Sequence, residues 1–255
     1  MTYTAALALA FFASVAKAGV WDAVGQVDSD GTLCTGTLIA SDIVLTAAHC
    51  LYDADGTPIS AEQVTFRAGY SGGVSVADVS VASWLPAPGY RDEGEIQPGA
   101  EAIRSDVALL LLAEPMTRDT VVPIALHPGL LRTNEVRTVS YSKGIDAGLS
   151  PPMPCRLLHR FADGVMEFDC TMHPGASGAP VLAERGGRLS ILSVISAVAT
   201  DENGLARSYG ASLPAHVATL RSRLTRAQVS ENDDKGARRI GVGERGSAGA
   251  RFVRP

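Results

Sequence analysis

Apolar residues in this chain recur mostly in short runs separated by Gly, Pro, Asp and Ser, the pattern of strands joined by turns. Val20 to Val27 and Thr32 to Ile39 flank the turn Asp28-Ser29-Asp30-Gly31, and Ser41-Asp42 marks a second turn before the buried strand Ile43 to Thr46. Val64 to Ala68 and Val74 to Trp84 follow with partial alternation. Residues 86–101 carry Pro86, Pro88, Gly89, Gly94, Pro98 and Gly99 and read as a polar surface loop. The run Val107-Ala108-Leu109-Leu110-Leu111-Leu112 then suits a strand buried on both faces. Pro115 to Pro128 is a connection able to cross between two lobes. A second set of strands is expected at Val136 to Tyr141, Arg156 to Phe161, Val165 to Phe168, Ala179 to Leu182, Leu189 to Val198 and Ser208 to Ala211.

The period changes near the end. Ser212 is a helix N-cap candidate, Pro214 lies in the first turn, and Val217, Leu220 and Leu224 recur at helical spacing. Beyond Ala227 the sequence is rich in Gly, Arg, Ser and Asp, so 227–255 reads as a disordered basic tail. At the other end, the apolar run Ala5 to Val15 closes on Ala16-Lys17-Ala18, an A-x-A-like cleavage site. Residues 1–18 are therefore expected to be a removed signal peptide, too short to span a bilayer comfortably. Many short strands with one late helix imply an all-β barrel or sandwich.

Charge and cysteine content narrow the function classes. The net charge of −5 conceals a balance of +5 from Arg221 to Pro255, so that residues 19–220 carry about −11. Such a body repels phosphates, which excludes nucleic acid as a partner. Four cysteines fit two disulfides in an oxidising compartment, so the protein is expected to be secreted or periplasmic. The sequence alone leaves their pairing open. No CxxC or Cys/His metal-ligand spacing occurs, and neither a metal nor a cofactor is expected.

Three polar residues stand out against this background. In His173-Pro174-Gly175-Ala176-Ser177-Gly178-Ala179-Pro180 a serine lies between glycines, which allow close backbone approach to a substrate. By itself that composition is also ordinary turn chemistry. His49 follows a buried strand and neighbours Cys50, and Asp106 sits at the edge of the leucine run, where a buried carboxylate needs a partner. The order His, Asp, Ser suggests nucleophilic catalysis.

Leu45-Thr46-Ala47-Ala48-His49-Cys50, Asp106-Val107-Ala108-Leu109-Leu110 and Pro174-Gly175-Ala176-Ser177-Gly178-Ala179-Pro180 resemble the catalytic motifs of the trypsin/chymotrypsin-like serine proteases. The nearer likeness is to the bacterial secreted branch that includes the V8-like glutamyl endopeptidases. Ala23 to Val27 and Cys34-Thr35-Gly36-Thr37-Leu38-Ile39-Ala40 extend it. The resemblance implies two packed antiparallel six-stranded β-barrels with a C-terminal helix, a protease domain over 19–226 and a lobe boundary near 115–130. It implies Ser177 as nucleophile, His49 as general base and Asp106 as its orienting acid, with the N–H groups of Gly175 and Ser177 as the oxyanion hole. It also implies a Cys34–Cys50 bridge, leaving Cys155 with Cys170, and protein or peptide substrates for a monomer free of the membrane.

Two departures refine this picture. Ala176 stands where trypsin and its animal relatives carry the aspartate that pairs with a newly cut N-terminal amine, so activity is expected not to need that pair. Thr171 stands where an acidic residue selects Lys or Arg, and Leu192 to Val198 lacks the histidine of the glutamyl endopeptidases. Thr171, Ser196, Ala197 and Val198 are expected to form the substrate site, with Ser196 also supporting Asp106. An uncharged pocket favours an apolar residue before the scissile bond. The alternative is a catalytically silent secreted relative that binds proteins or ligands. An α/β-hydrolase needs alternating strands and helices with its triad in the order Ser, Asp, His, and fits neither feature.

Overall fold

The computed structural model describes residues 19–92, 98–142 and 148–236, with side chains omitted for 227–236. The expected signal peptide at 1–18 lies outside the described residues, as does 237–255 of the expected tail. Among the described residues twelve strands form two closed antiparallel barrels. The first contains β1 (Val24–Ser29), β2 (Thr32–Leu38), β3 (Ile43–Thr46), β4 (Val64–Ala68), β5 (Ala77–Pro86) and β6 (Ala108–Leu112), in the spatial order β1-β2-β3-β6-β5-β4. The second contains β7 (Glu135–Thr138), β8 (Met153–Arg160), β9 (Val165–Phe168), β10 (Pro180–Arg185), β11 (Arg188–Thr200) and β12 (Ala206–Ala211), in the order β10-β11-β12-β9-β8-β7. Closure pairs most of the sheet edges that short strands would otherwise expose, leaving the end of β11 beyond Val194 paired with a strand on one side only among the described residues.

Alternation drives the first barrel. In β4 the pattern Val64, Phe66, Ala68 points inward, each fully buried, while Thr65 and Arg67 are only half-buried. The leucine run departs from alternation because β6 is covered on both faces, and Leu109 and Leu110 are both fully buried. Leu110 pairs with Val44 on β3 and Trp84 on β5, locking three strands in one register.

Among the described residues two α-helices complete the fold. α1 (Ala100–Ser105) falls partly in the segment expected to be a polar loop. Its helix formers Ala100, Glu101, Ala102 and Arg104 follow directly on the Pro- and Gly-rich stretch, and a Glu101–Arg104 ion pair spans one turn. α2 (Leu213–Gly236) buries Leu213, Val217, Leu220 and Leu224 in the same apolar cluster as the first barrel, although it emerges from the second. Arg221 donates to the Ile39 carbonyl and Arg223 to that of Pro86. The helix runs past Ala227, where the tail was expected to begin, because 227–235 contains no Gly or Pro. No helix among the described residues is long and apolar enough to cross a membrane.

Leu110→Ala removes a side chain that β3 and β5 enclose, and is expected to cost about 2–5 kcal/mol of stability. Urea unfolding should show a lower midpoint with an unchanged slope.

Candidate active site

His49 is presented by a turn that the core holds rigidly. β3 ends at Thr46 and leads into a 3₁₀ turn, Ala48–Leu51, in which Ala48, Cys50 and Leu51 are fully buried. The Cys34–Cys50 disulfide ties that turn to β2, and a Cys155–Cys170 disulfide lies in the second lobe. The imidazole alone reaches outward, with a third of its side chain exposed.

Asp106 arrives from α1, which it caps by donating its N–H to the Ile103 carbonyl. Asp106 is only 3% exposed, so its charge must be compensated by neighbours. Oδ1 accepts the backbone N–H of His49 at 2.9 Å, and Oδ2 lies 2.7 Å from His49 Nδ1. Oδ2 also accepts the Ser196 hydroxyl at 2.5 Å. Ser196 can turn to this carboxylate because the β11–β12 register shifts between Ile195 and Ala197, a bulge that re-aims one side chain.

Opposing influences set the charges of this pair. Burial pushes the His49 pKa down, but the charge and hydrogen bond of Asp106 outweigh it, and the net direction is up from the ordinary 6.5. For Asp106 burial pushes the pKa up; His49 by charge and hydrogen bonding, then Ser196, reverse this to hold the carboxyl below its ordinary value. The aspartate thus stays ionised wherever the imidazole titrates.

Ser177 faces these groups from the second barrel. Gly175 and Gly178 both adopt positive φ, 97° and 77°, conformations open to glycine at little cost. At Gly178 a side chain would also fall on the Thr35 carbonyl and the Thr46 hydroxyl of the first barrel. Within the loop, Ala176 N–H donates to the His173 carbonyl, Gly178 N–H to that of Ile195 and Ala179 N–H to that of Ala176. Among the described residues the N–H groups of Gly175 and Ser177 donate to no protein acceptor. They are the pair expected to stabilise an oxyanion. Ala176 itself is buried in the apolar cluster of the second barrel.

His49, Asp106, Ser177, Ser196, Ala197 and Val198 line one cleft of about 560 Å³, with Tyr52 and Tyr90 on its first-barrel side. No hydrogen bond joins Ser177 Oγ to His49 Nε2 among the described residues, a looseness common before substrate binds. Thr171 is exposed and does not line this cleft. An adjoining hollow of about 540 Å³ shares Pro98, Ala197 and Val198 with it and is walled by Ile103, Phe161, Val165 and Tyr209. A groove of about 1040 Å³ on the second barrel is larger, but shares none of these residues and brings together Glu135, Arg137, Arg156, Asp169 and Glu184. Cys34, His49 and Cys50 lie close enough to suggest a metal site, but both sulfurs are in the disulfide and offer no thiolate.

Sequence reasoning missed Tyr52, Tyr90 and the short helix α1. The signal for α1 was Ala100 to Ser105, helix formers that were partly absorbed into a loop because prolines precede them.

Residues 34–190 match the trypsin-like peptidase domain family. The fold is similar to that of a Glu endopeptidase solved in complex with MPD, with a TM-score of 0.63 and 18% identity over 83% of this chain and 93% of that one. It is also similar to AL20, a thermostable serine protease from an extremophilic microorganism, with a TM-score of 0.61 and 17% identity over 78% of this chain and 95% of that one.

His49 should titrate above 6.5 in an NMR experiment on its Cε1 proton. In Asp106→Asn the raising influence of Asp106 is lost and only the weaker charge of Asp92 opposes burial, so the His49 midpoint should fall below 6.5.

Proposed function

We propose, from the premise that this chain belongs to the trypsin-like peptidase family, that it is a secreted serine endopeptidase acting through His49, Asp106 and Ser177. The observation that carries this reading is a carboxylate shared between His49 and Ser196 on one wall of a cleft that has Ser177 on the other.

In this mechanism Ser177 Oγ attacks the substrate carbonyl carbon while His49 Nε2 takes its proton. The carbonyl oxygen, now negative, accepts hydrogen bonds from the Gly175 and Ser177 N–H groups, where one donor is typically worth about 10²- to 10³-fold in rate. The intermediate collapses as His49 returns the proton to the leaving amine. Water, activated by the same imidazole, then hydrolyses the acyl-enzyme. Asp106 holds Nδ1–H and stabilises the imidazolium, a role that the raised His49 pKa supports. Because His49 must be neutral to act as a base, activity should rise with pH through that raised pKa.

The free edge of β11 supports the mode of substrate binding. Ala197 to Thr200 pairs with β12 on one side, while the other edge has no partner strand among the described residues. β11 runs away from Ser196 toward the adjoining hollow, so a substrate strand added antiparallel runs toward Ser177. Its residues upstream of the scissile bond then lie over Ala197 and Val198 and along Ile103, Phe161 and Val165. Ile103, Phe161 and Val165 are apolar, and Asp163, which also lines the hollow, accepts the Val165 N–H, so apolar residues upstream are favoured over Glu, Lys or Arg.

Ala176 in an apolar cluster has no charge to offer a new amine terminus, which supports activity independent of such a pair. The two disulfides suit an extracellular or periplasmic location after signal removal at residue 18. A monomer is the expected state. The alternative, a silent relative that binds peptides without cleaving them, draws on the missing Ser177 to His49 hydrogen bond.

A diverse peptide library incubated with the wild type and with Ser177→Ala separates the two. Cleavage after apolar residues, reduced by about 10⁴-fold or more in the variant, is expected. Selection of Glu, Lys or Arg would overturn the specificity, and intact peptides in both samples would favour the binder.

A further inference from the structure

Gly175 and Ser177 belong to a loop with two glycines at positive φ, Gly175 and Gly178, separated only by the small residues Ala176 and Ser177. Glycine is the residue freest to rotate, so a loop of this composition needs an external hold if its N–H groups are to stay aimed at one point. We propose that Thr35, on β2 of the opposite barrel, supplies that hold as a positioning residue for the nucleophile loop.

Thr35 is fully buried, and each of its polar groups is engaged. Its N–H donates to the Ser177 carbonyl at 2.8 Å. Its hydroxyl donates to the Gly175 carbonyl at 3.0 Å and accepts the Tyr141 N–H, also at 3.0 Å. Its own carbonyl accepts the Thr46 hydroxyl at 2.8 Å, two residues before the turn Ala48–Leu51 that carries His49. The two loop carbonyls it fixes flank the peptide unit that carries Ser177 N–H. The unit's own Ala176 carbonyl accepts the Ala179 N–H within the loop, and with both flanking carbonyls held by Thr35 as well, Ser177 N–H cannot rotate out of the cleft without breaking a buried hydrogen bond. The Gly175 carbonyl, held by the hydroxyl, likewise limits rotation of the adjoining unit that carries Gly175 N–H.

The hold is anchored at its far side. Tyr141 enters from the second lobe, and its hydroxyl lies 3.1 Å from the Tyr70 carbonyl and 3.3 Å from that of Val24. Neighbouring Cys34 is bridged to Cys50, beside His49. One β2 segment therefore fixes the histidine turn through Cys34 and the nucleophile loop through Thr35. A hydroxyl is required at Thr35 rather than bulk, because the Gly175 carbonyl needs a donor and the Tyr141 N–H an acceptor, and a single hydroxyl provides both.

The proposal rests on the peptidase reading, and its test has an arm that does not. Thr35→Val keeps the shape and removes the hydroxyl, while Thr35→Ser keeps the hydroxyl. In kinetic assays well below each variant's Tm, Thr35→Val should lower kcat by about 10- to 100-fold, a part of what losing an oxyanion donor costs. KM should change by less than about threefold, since substrate backbone pairs elsewhere. Thr35→Ser should recover most of kcat. In parallel, ¹⁵N relaxation dispersion should show exchange at the Gly175 and Ser177 amides in Thr35→Val and not in wild type or Thr35→Ser. Equal losses in Val and Ser variants would make the role one of packing, and quiet amides in Thr35→Val would show that no hold exists; either overturns the proposal. A wild type inert toward all peptides would instead defeat the peptidase reading, and the amide exchange would still decide the hold.

Discussion

A buried carboxylate between two barrels is the constraint on which the rest of this structure depends. Asp106 can remain ionised there only because three donors meet it: the His49 backbone N–H, the His49 imidazole and the Ser196 hydroxyl. Those donors come from a 3₁₀ turn of the first barrel and a bulge in β11 of the second. Removing one partner leaves a buried charge short of compensation, an effect typically worth several kcal/mol. Docking of the barrels and charging of the imidazole are therefore one physical problem, solved at one residue.

The lobe boundary is correspondingly specific. Gly178 sits against Thr35 and Thr46 with no room for a side chain, and Tyr141 reaches from the second lobe to carbonyls of the first. α2 adds apolar adhesion, leaving the second barrel and burying four of its side chains with the core of the first. Apolar burial is indifferent to small shifts, while hydrogen bonds are not. The helix thus holds the lobes together, and the Thr35 and Asp106 contacts fix their register at the cleft.

Much of this was legible in the chain. The turn-bounded runs match strands close to the observed ones: Val64–Ala68 in full, where two-residue periodicity directly reflects a buried and an open face, and Val165–Phe168 in full, where a short apolar run is bounded by turn residues. Barrel closure came from the resemblance, since pairing between distant strands leaves no local signature. His49, Asp106 and Ser177 were visible through their flanking motifs, and the structure brings all three to one cleft. Thr171 was placed at the base of the pocket only through the resemblance, six residues before Ser177; it is exposed and does not line the cleft that holds His49, Asp106 and Ser177. The double use of the Thr35 hydroxyl was equally hidden, because its partners lie 106 and 140 residues away.

The central claim is that Ser177 is a nucleophile activated by His49. Incubating the wild type with a serine-directed aryl phosphonate, followed by peptide mapping mass spectrometry, tests it most directly. One phosphonyl group per chain on Ser177, with labelling abolished in Ser177→Ala and strongly slowed in His49→Ala, is the predicted result. An unlabelled wild type across a range of pH, or equal labelling of Ser177 in wild type and His49→Ala, would contradict it.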